Sequence, residues 1–336
     1  MLLVTALLLL WGMITKSNKE IVFLDKNHTL LLKGMAMLII TLCHFGQALN
    51  ISHIQFLAGT GVSIFLLVSG YGITKSYQVK GLTGYWRSRL VKVVLPYYLI
   101  HFFAWLMFGY EMSLTFILKT ILFQESWFVM HIMIFYAFFY FCAVMKEKLN
   151  FSINRMLVLM VILSLAYFTI DSLHFYIPGA ESLKARQMIP FVIGMILALK
   201  PSAYAKITKC NCVISIIMIL FGTGLVYASE VIKSKIGIII VSNFVAYFSV
   251  SSIALGTIAL SFKFSRFLDN RFLEMIGLIS YEMFLLQGPV IQIGFKIPEY
   301  TCSLFIALIG GAWFVNKVIG DMNATLLGAN RNIGDI

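Results

Sequence analysis

Charge is what this chain has least of. Lysine, arginine, aspartate and glutamate supply 12% of its residues, about half of the roughly 25% usual for a globular domain. Acids are the scarcer kind, 14 against 26 bases. A soluble domain needs a polar surface that this composition cannot provide. Cysteine is sparse too. Cys43, Cys142, Cys210, Cys212 and Cys302 show neither paired extracellular spacing nor a C-x-x-C, which argues against a disulfide framework or a zinc site. Cys210-Asn211-Cys212 falls at a predicted helix start on the basic side, where thiols stay reduced. Long polar stretches are also missing: the widest gaps between apolar runs are residues 16–33, 74–92 and 111–126. No repeat or low-complexity segment is visible, so any chemistry must be carried by the apolar body.

What is there is hydrophobic: 60% of residues, with a mean hydropathy of +0.91. Apolar runs cover 34–49, 56–73, 93–108, 127–145, 156–170, 188–199, 213–228, 236–260, 275–295 and 302–315. With their polar flanks, each approaches the roughly 20 residues that cross a bilayer as a helix; 188–199 is the weakest. The expected fold is all-α, a polytopic membrane helical bundle of about ten core transmembrane helices. Residues 1–15 are apolar but lack a basic leader and a small-residue cleavage site, so a short anchoring helix is expected there rather than a removable signal peptide. The expected division is 1–23 for anchor and linker, 24–318 for the membrane domain and 319–336 for a cytoplasmic tail.

A net charge of +12 raises nucleic acid as a partner, but the distribution of bases decides otherwise. Threading the spans alternately, with 16–33 inside, leaves only Lys119, Lys184, Arg186, Lys233, Lys235 and Lys296 outside. This is the positive-inside pattern of a multi-pass membrane protein, with lipid and not nucleic acid as its surroundings.

Within the first core run stands Lys33-Gly-Met-Ala-Met-Leu-Ile-Ile-Thr-Leu-Cys-His44. Eleven residues at roughly 100° each return the two side chains to within about 20° of one helix face, about 16 Å apart. An ionisable group deep in a membrane helix is costly and points to function. A neutral imidazole there takes a proton from a hydroxyl, unless His44 is a packing histidine bonded to a neighbouring carbonyl. Cys43 points about 100° away from it and reads as packing. Lys33 reads either as a snorkelling anchor or as a cation holding phosphate at the mouth of a channel.

Other candidates follow along the chain. Arg89 and Lys92 share a helix face ahead of Pro96, and arginine holds phosphate bidentately. Ser69 lies in a small-residue stretch, 59–73, that suits close helix approach and can line a cavity. Glu125 and Trp127 open a span at its outer end, where aromatic residues anchor to the interface. His131 follows one turn deeper. Ser280, Phe284 and Gln287 form one polar-aromatic stripe beside Tyr281 and the near-membrane acid Glu282. His28, His53, His101 and His174 are expected at interfaces. No metal-ligand set is apparent.

In this order, these segments resemble acyltransferase family 3, the integral-membrane O-acyltransferases of cell-surface glycans, from about Leu24 to Val315. Lys33-x10-His44 takes the place of the family's Arg-x10-His motif, and 65–73 looks like its F-x-x-S-G-F. Arg89-x-x-Lys92-x-x-x-Pro96 looks like its R-x-x-R-x-x-x-P, Trp127-Phe128 like its W-F, and residues 280–287 like its S-Y-x-x-Y-L-x-H. Lys33 and Lys92 keep the charge of an arginine but lose its fork. Gln287 stands where the family often has histidine and cannot act as a base.

The resemblance implies transfer of an acyl group, most often acetyl, from cytoplasmic acetyl-CoA or another acyl-CoA to a glycan or lipid-linked sugar hydroxyl across the membrane. It makes His44 the general base or transient acyl carrier. Lys33, Arg89 and Lys92 are then expected to hold CoA phosphates, Ser69 and Tyr281 to position the thioester, and Glu125, Trp127 and Gln287 to meet the acceptor. The alternatives from other classes are a secondary transporter, a glycan flippase or a non-catalytic member of the family.

Overall fold

The computed structural model describes residues 2–15, 20–49, 51, 56–108, 113–174 and 185–327. Every regular element among them is helical, and eight helices are long and apolar enough to cross a membrane, or up to ten if two bent pairs each count as one span. The protein is an all-α, multi-pass membrane bundle.

Helix α1 (Leu2–Ile14) leads to α2 (Lys26–Ala48), which starts where the Asp25 carboxylate accepts the His28 amide at 2.6 Å. This start lies about two turns before Lys33, so the lysine is inside the helix and not at its charged end. The far end is at Ala48, which puts His44 about 6 Å from it. His44 is therefore near the end of the span opposite Lys26 and not at its middle.

α3 (Phe56–Lys80) returns antiparallel to α2. Cys43 meets the backbone of Ala58, and a Cβ on Gly61 would strike Ile40 and the Ala36 carbonyl. This register sets Phe65 level with Ala36, and Ser69 level with Leu32 and Lys33.

The third span joins α4 (Tyr85–Arg89) to α5 (Leu95–Phe108) through a widened π turn, Leu90–Val94, closed by the Leu95 amide on the Leu90 carbonyl. Pro96 accounts for the widening. It has no N–H to return to the preceding turn, and its ring crowds the carbonyl four residues back.

α6 (Leu114–Ile121) is a short capped helix before α7 (Trp127–Lys148) and α8 (Ile153–His174). The weakest apolar run becomes α9 (Ile189–Leu199), which turns by 104° into α10 (Pro201–Thr208). Proline pushes the residue before it into extended backbone, and Lys200 has φ −117° and ψ 97°. α11 (Cys212–Val231), capped by Asn211, and α12 (Ile239–Lys263) form a helical hairpin closed at Gly237, whose φ is +75°.

The 275–295 run is not one straight span. After α13 (Ser265–Leu268), α14 (Arg271–Leu278) and α15 (Ser280–Lys296) meet at 74° around Ile279. α16 (Thr301–Leu327) continues well past its apolar run. α1 packs on α14, where Asn270 caps the helix and donates its amide to the Leu9 carbonyl at 2.9 Å.

Glycines set the closest approaches. A Cβ on Gly34 would lie 2.1 Å from the Leu273 carbonyl oxygen, and one on Gly277 2.1 Å from that of Leu30. The α3–α9 contact has the same reciprocal form, Gly70 against Phe191 and Gly194 against Leu67. Such contacts let membrane helices touch along their backbones. Gly34 follows Lys33 and Gly70 follows Ser69, so each glycine that seats a helix turns its polar neighbour about 100° around the axis.

Candidate functional site

α2, α3, the π turn, α7 and α15 enclose two connected cavities. The outer one, about 610 Å³, opens at the basic end and is lined by Lys26, Lys33, Lys75, Lys80, Arg89 and Lys92, with Ser69, Tyr71, Ser76, Ser88 and Tyr136 between them. Asp25 is the one carboxylate in its lining among the described residues. That carboxylate is already held by the backbone, accepting from the amides of His28 and of Val22 at 3.2 Å.

Lys33, Ser69, Lys92, Val93 and Tyr136 line this cavity and also a smaller one of about 170 Å³. The inner cavity continues past Ser280 and Tyr281 to Phe65, Phe128, Ile132 and Phe284. Its walls thus change from cationic at the neck, through hydroxyls, to aromatic at the far end.

Each cation is placed by local chemistry. The Arg89 guanidinium stacks 4.2 Å above the Tyr85 ring and 5.4 Å from that of Tyr136, donating one N–H to the Tyr85 carbonyl at 3.1 Å. Tyr85 in turn donates its hydroxyl to the Tyr136 carbonyl at 2.7 Å. This clamp fixes the plane of the guanidinium and leaves other N–H groups for a ligand. Lys92 rides on the π turn, and Lys33 is near enough to it for mutual repulsion. Tyr281 secures the turn by donating its hydroxyl to the Val93 carbonyl at 2.8 Å. Ser69 lies within hydrogen-bonding reach of the Tyr136 hydroxyl.

The structure therefore brings together Lys33, Ser69, Arg89, Lys92 and Tyr281, all five residues expected at a donor site. His44 lines neither cavity. It is half-buried between Cys43 and Phe45, the latter packed edge-on against Phe305 of α16 at 6.1 Å. From the level of Phe65 and Ala36, His44 lies about 12 Å farther along α2. The rings of Phe65, Phe128 and Phe284 stand between, with Phe128–Phe284 centroids at 4.7 Å.

Glu125 is exposed in the turn before α7, close enough to Tyr97 and His101 to act on them electrostatically. Trp127 is half-buried at the first turn of α7, 6.2 Å from the buried His131 ring. Gln287 is buried on α15, and its Oε1 has no partner among the described residues. These three line neither cavity.

Two of the histidines expected at interfaces pack inside the bundle near the ends of their spans. His28 is fully buried, accepting the Leu24 amide at 3.0 Å and facing the Ser261 hydroxyl at 3.1 Å, where it locks α2 to α12. His101 is half-buried against Tyr97 at 4.1 Å between rings. His53 and the His174 side chain lie outside the described residues. Sequence reading missed Tyr136, because a tyrosine in a run as aromatic as that of α7 carries no distinguishing signal. It also took Lys75 and Lys80 as topological charges only. Among the described residues no group of three or more His, Cys, Asp or Glu is placed to hold a metal ion.

Comparison with known proteins gives a match over residues 22–315 to the acyltransferase 3 family, described as an acyltransferase domain. No curated protein and no solved structure matches the chain. The family match spans most of the chain, including every residue lining the two cavities. The chain belongs to the acyltransferase 3 family of membrane acyltransferases.

Proposed function

We propose that this protein transfers an acyl group, acetyl foremost, from cytoplasmic acyl-CoA to a hydroxyl of a cell-surface or exported polysaccharide or its lipid-linked precursor. Its place is the plasma (bacterial cytoplasmic) membrane. The observation that carries this reading is the pair of cavities: five lysines and Arg89 gathered with a single carboxylate at the mouth among the described residues, leading through a neck into an apolar end. A polyphosphate with a slender thioester arm has this shape and charge order. Lys33, Arg89 and Lys92 bind the phosphates, Arg89 through its fixed plane. Ser69, Ser280 and Tyr136 offer hydroxyls to the arm and its thioester.

The acceptor approaches from the opposite side, near Glu125, Trp127 and Gln287. His44, one turn from that end of α2, takes the proton of the acceptor hydroxyl. The new C–O bond forms as the C–S bond breaks, and the CoA thiolate leaves and is then protonated. In the covalent variant a neutral His44 nitrogen displaces the CoA thiolate from the acyl carbon, and the acceptor oxygen then displaces the imidazole, its proton passing to the released ring. Because the phenylalanine rings lie across the route from the inner cavity to His44, transfer includes their parting.

Membranes containing the protein and its native glycans, supplied with radiolabelled acetyl-CoA, test the proposal. Label should pass to the glycan with stoichiometric CoA release, and His44→Ala should lower the rate by about 10²–10⁴, the usual contribution of a general base. Transfer that ignores His44 would overturn the assigned chemistry.

A further inference from the structure

The inner cavity is small and its lining turns aromatic, and both carry information about the group it admits. About 170 Å³ is close to the roughly 150 Å³ engineered cavity that holds benzene, a molecule of six heavy atoms. About seven heavy atoms therefore fit. If the thioester sits in the cavity, its sulfur, carbonyl carbon and carbonyl oxygen take three of them, leaving room for about four more carbons.

The chemistry narrows the choice further. The far end is formed by Phe65, Phe128, Ile132 and Phe284, with Ile132 and Phe128 buried. The polar residues, Lys33, Lys92, Ser69, Tyr136, Ser280 and Tyr281, belong to the neck and middle. A carboxylate carried at the tip of an acyl chain would be brought against Phe65, Phe128, Ile132 and Phe284, an apolar lining that costs it hydration.

We infer that the Phe128–Phe284 ring pair is a chain-length stop, and that the donor is a short, uncharged acyl-CoA of about two to five acyl carbons, with dicarboxylic acyl groups excluded. This inference rests on the donor-site reading given above but is independent of the role of His44. Selection takes place when the donor binds, before the rings part for transfer. Phe284 is the more informative ring to alter, because it comes from α15, the helix set at 74° by the break at Ile279.

The test is binding, which needs no acceptor. Isothermal titration of the purified, detergent-solubilised protein would compare CoA, acetyl-CoA, butyryl-CoA, succinyl-CoA, hexanoyl-CoA and octanoyl-CoA. Acetyl- and butyryl-CoA should bind at least as tightly as CoA. Hexanoyl-, octanoyl- and succinyl-CoA should bind about tenfold or more weakly, the effect expected from overfilling a packed site or stranding a charge.

Phe284→Ala should move the cut-off to longer chains, restoring hexanoyl-CoA toward butyryl-CoA affinity. Phe128→Leu is the second variant should the first fail to fold, and an unchanged helical circular-dichroism spectrum and melting profile in detergent is the folding control for both. If CoA itself does not bind, the donor-site reading falls and takes this inference with it. If CoA binds but affinity is indifferent to acyl length, or the cut-off stays put in a variant that still binds CoA, the ring-pair stop alone is overturned.

Discussion

Tyr281 hangs the π turn of the third span from α15: its hydroxyl donates to the Val93 carbonyl at 2.8 Å, one residue from Lys92. Two segments nearly two hundred residues apart are thereby held in register at the neck of the cavities. The family resemblance pointed to Tyr281 as a group that positions the thioester. Its proton goes to the backbone, so in the proposed reading it also serves a donor through the placement of Lys92.

Replacing that hydroxyl should separate placement from chemistry. Tyr281→Phe removes one hydrogen bond, worth about 1 kcal/mol net, and should weaken CoA binding by about fivefold while leaving kcat nearly unchanged. A fall in kcat with unchanged KM would return Tyr281 to the reacting centre.

Lys33 should act through charge at the neck. Lys33→Ala is expected to raise the apparent KM for acyl-CoA by about ten- to hundredfold, the range for a hydrogen bond to a charged group. Lys33→Arg should retain or tighten binding, since the guanidinium adds a second donor in a fixed plane. Screening gives a second readout: raising salt should weaken CoA binding less in Lys33→Ala than in the unaltered protein. An unchanged KM in Lys33→Ala would remove this lysine from the donor site.

The π turn is open to a direct test through Pro96. Pro96→Ala restores an amide that can bond back to the preceding turn, which favours ordinary α-helical winding. Thermal stability should hold or rise, yet CoA affinity should fall because Lys92 rotates away from the neck. Equal affinity in the two proteins would show that the widened turn has no part in donor binding.

Gly70 and Gly72 offer a paired test of packing. A Cβ on Gly70 meets the Phe191 carbonyl oxygen at 2.1 Å, whereas one on Gly72 finds no atom within 4 Å. Gly70→Ala should cost about 1–3 kcal/mol through forced separation of α3 and α9, seen as a lower Tm in detergent. Gly72→Ala should leave Tm unchanged or raise it, because alanine favours the helix by about 0.5–1 kcal/mol.

The sequence made some of this site legible and hid the rest for physical reasons. That Lys33 and His44 share one helix follows from the unbroken run between them, and the structure places both on α2. The depth of His44 was misjudged because the helix begins at Asp25, whose capping role is short-range chemistry inside a polar stretch that read as loop. Pro96 announced a disturbance in the third span, but not that the chain would answer with a widened turn instead of a break. The bend at Ile279 had no proline or glycine at the hinge itself to signal it. Tyr136 and the phenylalanines reach the inner cavity from separate helices, and one-dimensional spacing does not register such convergence.

The state of Asp25 has a kinetic corollary. Its carboxylate is held by two backbone amides and stands alone among the described lining residues against five lysines and Arg89, so the rim keeps a net positive charge that attracts polyanions. In the proposed reading the discharged carrier presents the same phosphates to that rim as the loaded one. Exchange between them would then follow their relative abundance in the cytoplasm, making turnover sensitive to the cell's ratio of acylated to free CoA.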